Sequence, residues 1–210
     1  MRLGFSNSQE TIFVRPLKEE DIQQVIKIHM AEFGSRSGIR FLEKAYYPTL
    51  FLPQSFAFGL VAVYREQIAG FCLGTLDASA FHRTLLRSHL IECMIAAAQM
   101  VFLGREIWNQ LSYSFRHLYS SPINTSGGRI FFIAVCKAFH KRGIASRLIT
   151  EALNHCRSQG LEKCWSRALK SNSASYQLHT RLGFRLHPEM SKRDKNRSIF
   201  FCDLGSKSNP

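Results

Sequence analysis

Apolar residues recur along the chain with two periods, and the period assigns the elements. Ile12, Phe13 and Val14 form a short run closed by Pro16, which reads as a strand. Lys18, Glu19, Glu20 and Asp21 then open a helix, their carboxylates suiting the positive end of its dipole. Ile22, Val25, Ile26, His29 and Phe33 fall on one face of that helix, and Gly34 stands where a left-handed cap ends it. The spacing predicts a second helix over Ile39 to Tyr47, broken by Pro48 and Pro53. Ala57 to Tyr64 is almost continuously apolar, as a strand buried on both faces is. After the polar turn Arg65, Glu66, Gln67, the run Ile68 to Leu76 returns as its hairpin partner, with Gly70 and Gly74 inside it and Asp77 at its exit.

The character then changes. Ala78 to Leu118 has a helical period, is rich in Leu, Ile, Ala and Met, and carries Arg83, Arg87, Arg105 and Arg116, which predicts two or three inserted helices. Pro122 to Gly128 is a turn-forming linker, and Ile130 to Val135 is the clearest strand pattern of the chain. The basic loop Lys137 to Arg142 enters a helix at Gly143, with Ile144, Leu148, Ala152 and Cys156 as its inward stripe and Gly160 at the stop. Lys163 to Leu169 reads as a strand, Ser173 to Leu182 as a helix, Phe184 to Leu186 and Ser198 to Leu204 as strands. Lys192 to Arg197 reads as an exposed basic connection.

Composition narrows what such a chain does. With 210 residues, 45% of them hydrophobic and 20% charged, disorder and collagen are excluded, and residues 1–210 read as one domain with an insert at about 78–128. A chain of this length buries a core without disulfides. Lys and Arg number 28 against 15 Asp and Glu, a formal charge of +13, so the expected partner is anionic: a phosphate-bearing cofactor, a nucleic acid or an acidic membrane surface. The six cysteines include no C-x-x-C unit, which excludes zinc fingers and redox dithiols. His82, His89, His117 and His140 lack carboxylate or cysteine partners at metal-ligand spacing, so no metal is expected. Met1 to Gln9 has no signal-like apolar core, and Leu90 to Leu103, interrupted by Glu92 and Gln99, falls short of the roughly 20 residues of a membrane span. A reducing, cytoplasmic location is expected.

Strand, basic loop, glycine, helix is the arrangement that aims backbone N–H groups and a positive dipole end at a phosphate. Here His140, Lys141, Arg142, Gly143, Ile144 and Ala145 match the pattern Q/R-x-x-G-x-G/A except for histidine in the first place. Downstream, Asn172, Leu178, Arg181, Leu182, Gly183 and Phe184 match an N…L(Y)…GF signature at its expected spacing, and Val14, Arg15 and Pro16 suit the opening strand. In these features the chain resembles the GNAT superfamily of acyl-CoA N-acyltransferases. The resemblance implies a mixed α/β fold, a mostly antiparallel central sheet flanked by helices, with the helical insert between the third and fourth strands. It implies acetyl-CoA or another acyl-CoA as co-substrate. The strand Phe131 to Val135, with Ile133, Ala134 and Val135 on it, would lie along its pantetheine arm and aim an N–H at the thioester carbonyl, His140 to Ser146 (Lys141, Arg142, Gly143, Ile144 and Ala145 between them) would grip its diphosphate, and Asn172 would anchor the helix beside it. Gly143 and Ala145 are expected to be small so that backbone can approach the phosphate oxygens.

In such a transfer an amine attacks a thioester carbonyl and a thiolate leaves, with a thiol pKa of about 8.5. His179 stands where many family members carry a tyrosine acid, and Arg129 where many carry a glutamate base. His179 is therefore a candidate acid, against a packing role. Arg129 stays protonated, so it is no base and is a candidate for binding an acidic acceptor. Asp77 is a candidate base acting through water, against a turn-capping role. Tyr176, one turn before His179, is a candidate contact to the CoA arm or the substrate, against core packing.

The implied function is transfer of an acyl group, acetyl above all, to the primary amine of a small molecule. The insert looks like that of longer variants associated with polysaccharide and amino-sugar loci, which points to an amino sugar. It either roofs the acceptor pocket or lies on anionic lipid at the inner membrane face. Two alternatives stand beside this: a GNAT-fold CoA sensor without turnover, and a basic nucleic-acid- or ribosome-associated protein, although no recognition-helix signature or basic tail is present. The oligomeric state is not legible.

Overall fold

A computed structural model describes residues 12–33, 39–102 and 126–205. Seven strands form one sheet in the order β1-β2-β3-β4-β5-β7-β6. They are β1 (Phe13–Pro16), β2 (Ala57–Tyr64), β3 (Gln67–Thr75), β4 (Gly128–Val135), β5 (Lys163–Leu169), β6 (Arg185–Leu186) and β7 (Arg197–Asp203). Every neighbouring pair is antiparallel except β4 with β5, which is parallel. The expected mixed, mostly antiparallel sheet is thus present.

The first helix, α1 (Ile22–Phe33), follows a 3₁₀ turn at Glu19–Asp21. Asp21 is buried there because Arg15 pairs with both of its oxygens, at 2.6 and 2.8 Å. The second predicted helix is really three joined segments: α2 (Ile39–Phe41), a π-helical stretch Leu42–Tyr46, and α3 (Tyr47–Thr49). Pro48 does not end it, and the backbone stays helical through Thr49. The insert supplies α4 (Ala78–Ser88) and α5 (Leu90–Phe102); its remaining expected part, with Arg105, Arg116 and His117, lies outside the described residues. The helices α6 (Ile144–Ser158), α7 (Ser173–Arg181) and α8 (Pro188–Arg193) complete the order. No described helix is long and apolar enough to cross a membrane.

Two apolar layers sandwich the sheet. One gathers α1, the Phe41 to Leu50 segment and α4 against Phe71, Leu73 and Phe132. The other gathers the stripe Ile144, Leu148, Ala152 and Cys156 of α6 against Ala69, Cys72, Ile130 and Cys164. The predicted stripe therefore faces inward as its period requires.

One sequence expectation is corrected in this half. Lys192 to Arg197 is not an exposed connection throughout: α8 occupies Pro188–Arg193, and Arg197 is the buried first residue of β7. The His187 ring caps α8 by accepting from Met190 N at 3.4 Å, and Asp194 Oδ1 then takes the amides of Asn196 and Arg197, both at 3.0 Å. That turn folds the chain back and carries Arg197 into the sheet.

Candidate active site

The parallel strands at the centre of the sheet touch only at their beginnings. Gly128 pairs with Cys164 and Arg129 with Trp165, and no pair follows, although β4 runs on to Val135 and β5 to Leu169. The cause lies on the other edge of β4. Leu73 pairs with Phe132 but Gly74 with Ile130, so Phe131 is the extra residue of a β-bulge. A bulge bends the strand that carries it, and this one sits where β4 leaves β5. Between the parted strands lies a cavity of about 90 Å³, lined by Ile130 to Ile133 on one side, Ser166 to Leu169 on the other, and by Phe33, Asn172, Ser175 and Arg197.

Beyond the open end of β4 comes the basic loop. The His140 ring donates from Nε2 to the carbonyl of Val135 at 2.7 Å, closing the loop onto the strand it leaves. Lys141 (φ 62°) and Gly143 (φ 75°) both have left-handed backbone. The first bond of α6 is Arg147 N to Gly143 O at 3.1 Å, and no side chain caps this end. The amides of Ile144, Ala145 and Ser146 thus precede the helical ladder, at the positive end of a 15-residue helix. The corner is open: His140, Lys141, Arg142 and Gly143 are exposed, and a Cβ on Gly143 would meet nothing within 4 Å. Glycine is required there by its φ, a reason the expectation of close approach did not include. The Arg142 guanidinium lies over Phe139 and Tyr64, 5.6 and 6.0 Å from the ring centres, which steadies the loop.

On the α6 side of the sheet, Asn172 caps α7 by accepting from Ser175 N at 2.9 Å while lining the cleft. His179, from the same helix, is 1% exposed, lies flat against Phe200 with ring centres 4.9 Å apart, and meets Phe184 edge-on. Its Nδ1 is 2.7 Å from the carbonyl of Ser175, which only accepts, so Nδ1 carries the hydrogen. In the neutral ring Nε2 therefore accepts from the Ser166 hydroxyl, at 2.8 Å. Burial holds the His179 pKa below its ordinary value, opposed by the bond to Ser175. His179 is not itself a lining residue. Ser166 is, so the imidazole reaches the cleft through one hydroxyl.

The opposite face of the same strands is cationic. Arg129 and Arg197 are buried, and Arg167 and Arg197 line the cleft. Burial, then the charges of Arg129 and Arg197, push the Arg167 pKa down to about 10, with Asp194 opposing. His82, on α4, is pushed down to about 4 by burial and by Arg129 and Arg167.

The other expected site residues fall as follows. Ile133 lines the cleft, Ala134 pairs with Phe71 across β3, and Val135 ends the strand. Asp77 is exposed and accepts from Ser79 N at 2.8 Å and Ala80 N at 3.0 Å, so its carboxylate caps α4 and does not line the cleft. Tyr176 is 41% exposed and meets Phe200 edge-on at 5.2 Å, a packing contact. Ser166, Arg167 and Arg197 were not singled out as site residues from the sequence. The alternation of Ser166 and Arg167 within a strand pattern was the available signal for two of them.

Residues 22–184 match the model of the acetyltransferase (GNAT) family. No curated protein matches the chain. Among solved structures it is similar to SsHAT, at a TM-score of 0.69 and 18% identity, covering 93% of this chain and 100% of that one. It is also similar to Arabidopsis thaliana NAA60 in complex with acetyl-CoA, at 0.57 and 17%, covering 93% and 100%. A third is the PaiA N-acetyltransferase of Thermoplasma acidophilum in complex with coenzyme A, at 0.58 and 15%, covering 92% and 99%. At these identities the likeness is one of fold.

Proposed function

The chain belongs to the acetyltransferase (GNAT) family, and from that premise we propose that it transfers an acetyl group from acetyl-CoA to the primary amine of a small molecule such as an amino sugar. The observation that carries this reading is the parting of β4 from β5 after Arg129, opening toward the uncapped start of α6. A slot with unpaired strand edges suits an amide-bearing arm, and the uncapped amides beyond it suit a diphosphate.

When bound, acyl-CoA supplies an electrophilic thioester carbonyl and a thiolate leaving group. The amides of the loop His140 to Ser146 hold the diphosphate, and Ile133 to Val135 offer strand edge to the arm. Phe131, the extra residue of the bulge, lies at the start of the parting, where its backbone N–H would serve the negative charge that develops on the carbonyl oxygen. Ser166 and His179 move the proton. The Ser166 hydroxyl receives it from the attacking amine while passing its own hydrogen to Nε2 of the neutral imidazole, and the reverse transfer delivers it to sulfur. A depressed pKa suits this shuttle, because a buried imidazolium gives its proton up readily. Asp77 is left with its cap and Tyr176 with its packing. We place this chemistry in the cytoplasm, a reading supported by six cysteines that are all thiols.

A thermal-shift titration of acetyl-CoA tests binding: a clear rise in Tm at millimolar ligand is expected, and none would overturn the reading. Thiol release across a panel of amines and amino sugars then tests turnover. Binding without release from any amine would favour the CoA sensor.

A further inference from the structure

The helices of the insert stand apart from the cleft, since neither α4 nor α5 supplies a residue to its lining. α4 is held by Ala80, Phe81, Thr84 and Leu85, which turn inward, and the Phe81 ring lies 5.0 Å from that of Phe131. α5 is held through Cys93 and Ala96, which are buried, and Glu92 and Ile95 border a small pocket against Arg40 and Phe41 of α2.

The outer side of α5 is apolar where a surface helix is ordinarily polar. Leu90, Ile91 and Met94 are 56, 68 and 62% exposed, and Ala97 and Ala98 are exposed with them. These five recur at i, i+1, i+4, i+7 and i+8, which is one face of the helix, and Cys93 and Ala96 fall on the opposite one. Single exposed apolar residues are ordinary, whereas a continuous stripe marks a surface made for contact.

Charge decides what meets it. α4, joined to α5 at His89, exposes Ser79, Arg83, Leu86 and Arg87, spaced again as one face. Between residues 78 and 102 the sole acid is Glu92, which belongs to the pocket beside Arg40. The exposed surface of the two helices is therefore apolar and basic, with no exposed acid. A second copy docked by the same face would bring these arginines toward their own duplicates. The sequence that follows α5 offers no net counter-charge either, with Arg105 and Arg116 against Glu106. A layer of anionic headgroups over hydrocarbon complements both properties, and the formal charge of +13 draws the chain toward it. With 13 residues against the roughly 20 of a span, α5 suits a position in the plane of the bilayer.

We propose that α5 seats Leu90, Ile91 and Met94 in the interface of an anionic bilayer, with Arg83 and Arg87 of α4 at its headgroup phosphates. This stands apart from the transferase reading and needs no bound cofactor.

Flotation of the full chain with lipid vesicles tests it. Vesicles of phosphatidylcholine with phosphatidylglycerol are expected to bind the chain at least about tenfold more tightly than phosphatidylcholine alone, since each basic residue at an anionic surface is worth about fivefold. R83Q with R87Q should remove most of that preference. I91Q with M94Q should weaken binding to the mixed vesicles at least about tenfold. All four side chains are exposed, so both double variants should keep the wild-type Tm. The proposal is overturned if the wild type floats with neither kind of vesicle, or with both alike. It is also overturned if I91Q with M94Q binds the mixed vesicles as the wild type does. Sedimentation velocity without lipid should show a species that these two substitutions leave unchanged, and a dimer that they dissolve would give the face to a second copy. Should a variant lose its fold, the wild-type comparison and the loss of its preference in high salt still decide the matter.

Discussion

Replacing Ser166 by alanine separates a proton relay from a packing contact, because almost nothing else changes. The side chain is buried at 3% exposure, and Ser→Ala leaves no appreciable cavity. What is lost is the partner of His179 Nε2. The ring cannot adapt by changing tautomer, since Nδ1–H is committed to the Ser175 carbonyl at 2.7 Å. A buried acceptor left unsatisfied costs about 1–3 kcal/mol. For a chain of this size that lowers Tm by roughly 2–12 °C, so the variant remains folded at 25 °C. Turnover should suffer far more: loss of a positioned acid–base group removes about 10²–10⁴ in rate. Thiol release under saturating acetyl-CoA should thus fall at least about 100-fold, with acetyl-CoA affinity nearly unchanged, and Ser166→Thr should recover most of it. The acidic limb of the wild-type kcat profile, set by protonation of His179 below its ordinary pKa, should vanish in the alanine variant. A variant with lowered Tm but kcat within threefold of wild type would show that the Ser166–His179 bond serves the fold alone.

Gly143→Val meets no neighbour but forces a β-branched residue to φ 75°, which should cost about 1–2 kcal/mol of stability and weaken coenzyme A binding more than tenfold by calorimetry; undiminished binding would discredit the loop. Asp77→Ala removes the cap of α4 and should lower stability by about 1 kcal/mol in a urea melt without altering kcat, whereas a collapse of kcat would restore Asp77 as a base. Acid should destabilise the fold before its carboxylates titrate. Burial holds His29 and His82 near 4 when folded, whereas unfolded imidazoles take up protons near 6.5, so stability is complete above about 6.5 and falls as pH drops toward 4, by about 1.4 kcal/mol per pH unit for each group. A urea midpoint constant between pH 7 and pH 5 would contradict that burial.

Period and punctuation made most of the fold legible. The unbroken apolar run Ile130 to Val135, the stripe Ile144 to Cys156 and the glycine between them placed the central strand, its helix and the open corner without reference to any contact. Features that depend on pairing across the chain were not legible. The bulge at Phe131 exists only in relation to Leu73 and Gly74, and the hydrogen bond from Ser166 to His179 joins a strand to the helix that follows it. Arg197 misled for a related reason. In a run of lysines and arginines it looks solvated, and only the turn at Asp194 shows that the chain doubles back before it. Asp77 and Tyr176 were read both ways, and the geometry gives each its structural role.

The pleat of β5 has a consequence for how tolerant this protein is of change. Serine and arginine sit side by side at 166 and 167, so the strand that delivers the hydroxyl to one wall delivers the cation to the other. A single inserted or deleted residue upstream within β5 would exchange the two, turning the guanidinium toward the imidazole and the hydroxyl toward the cationic wall. Seven consecutive pairs with β7, from Lys163↔Asp203 to Leu169↔Arg197, clamp that phase along the whole strand. Length variation among descendants of this gene should therefore accumulate in the insert and at the chain ends, and stop at the borders of this ribbon.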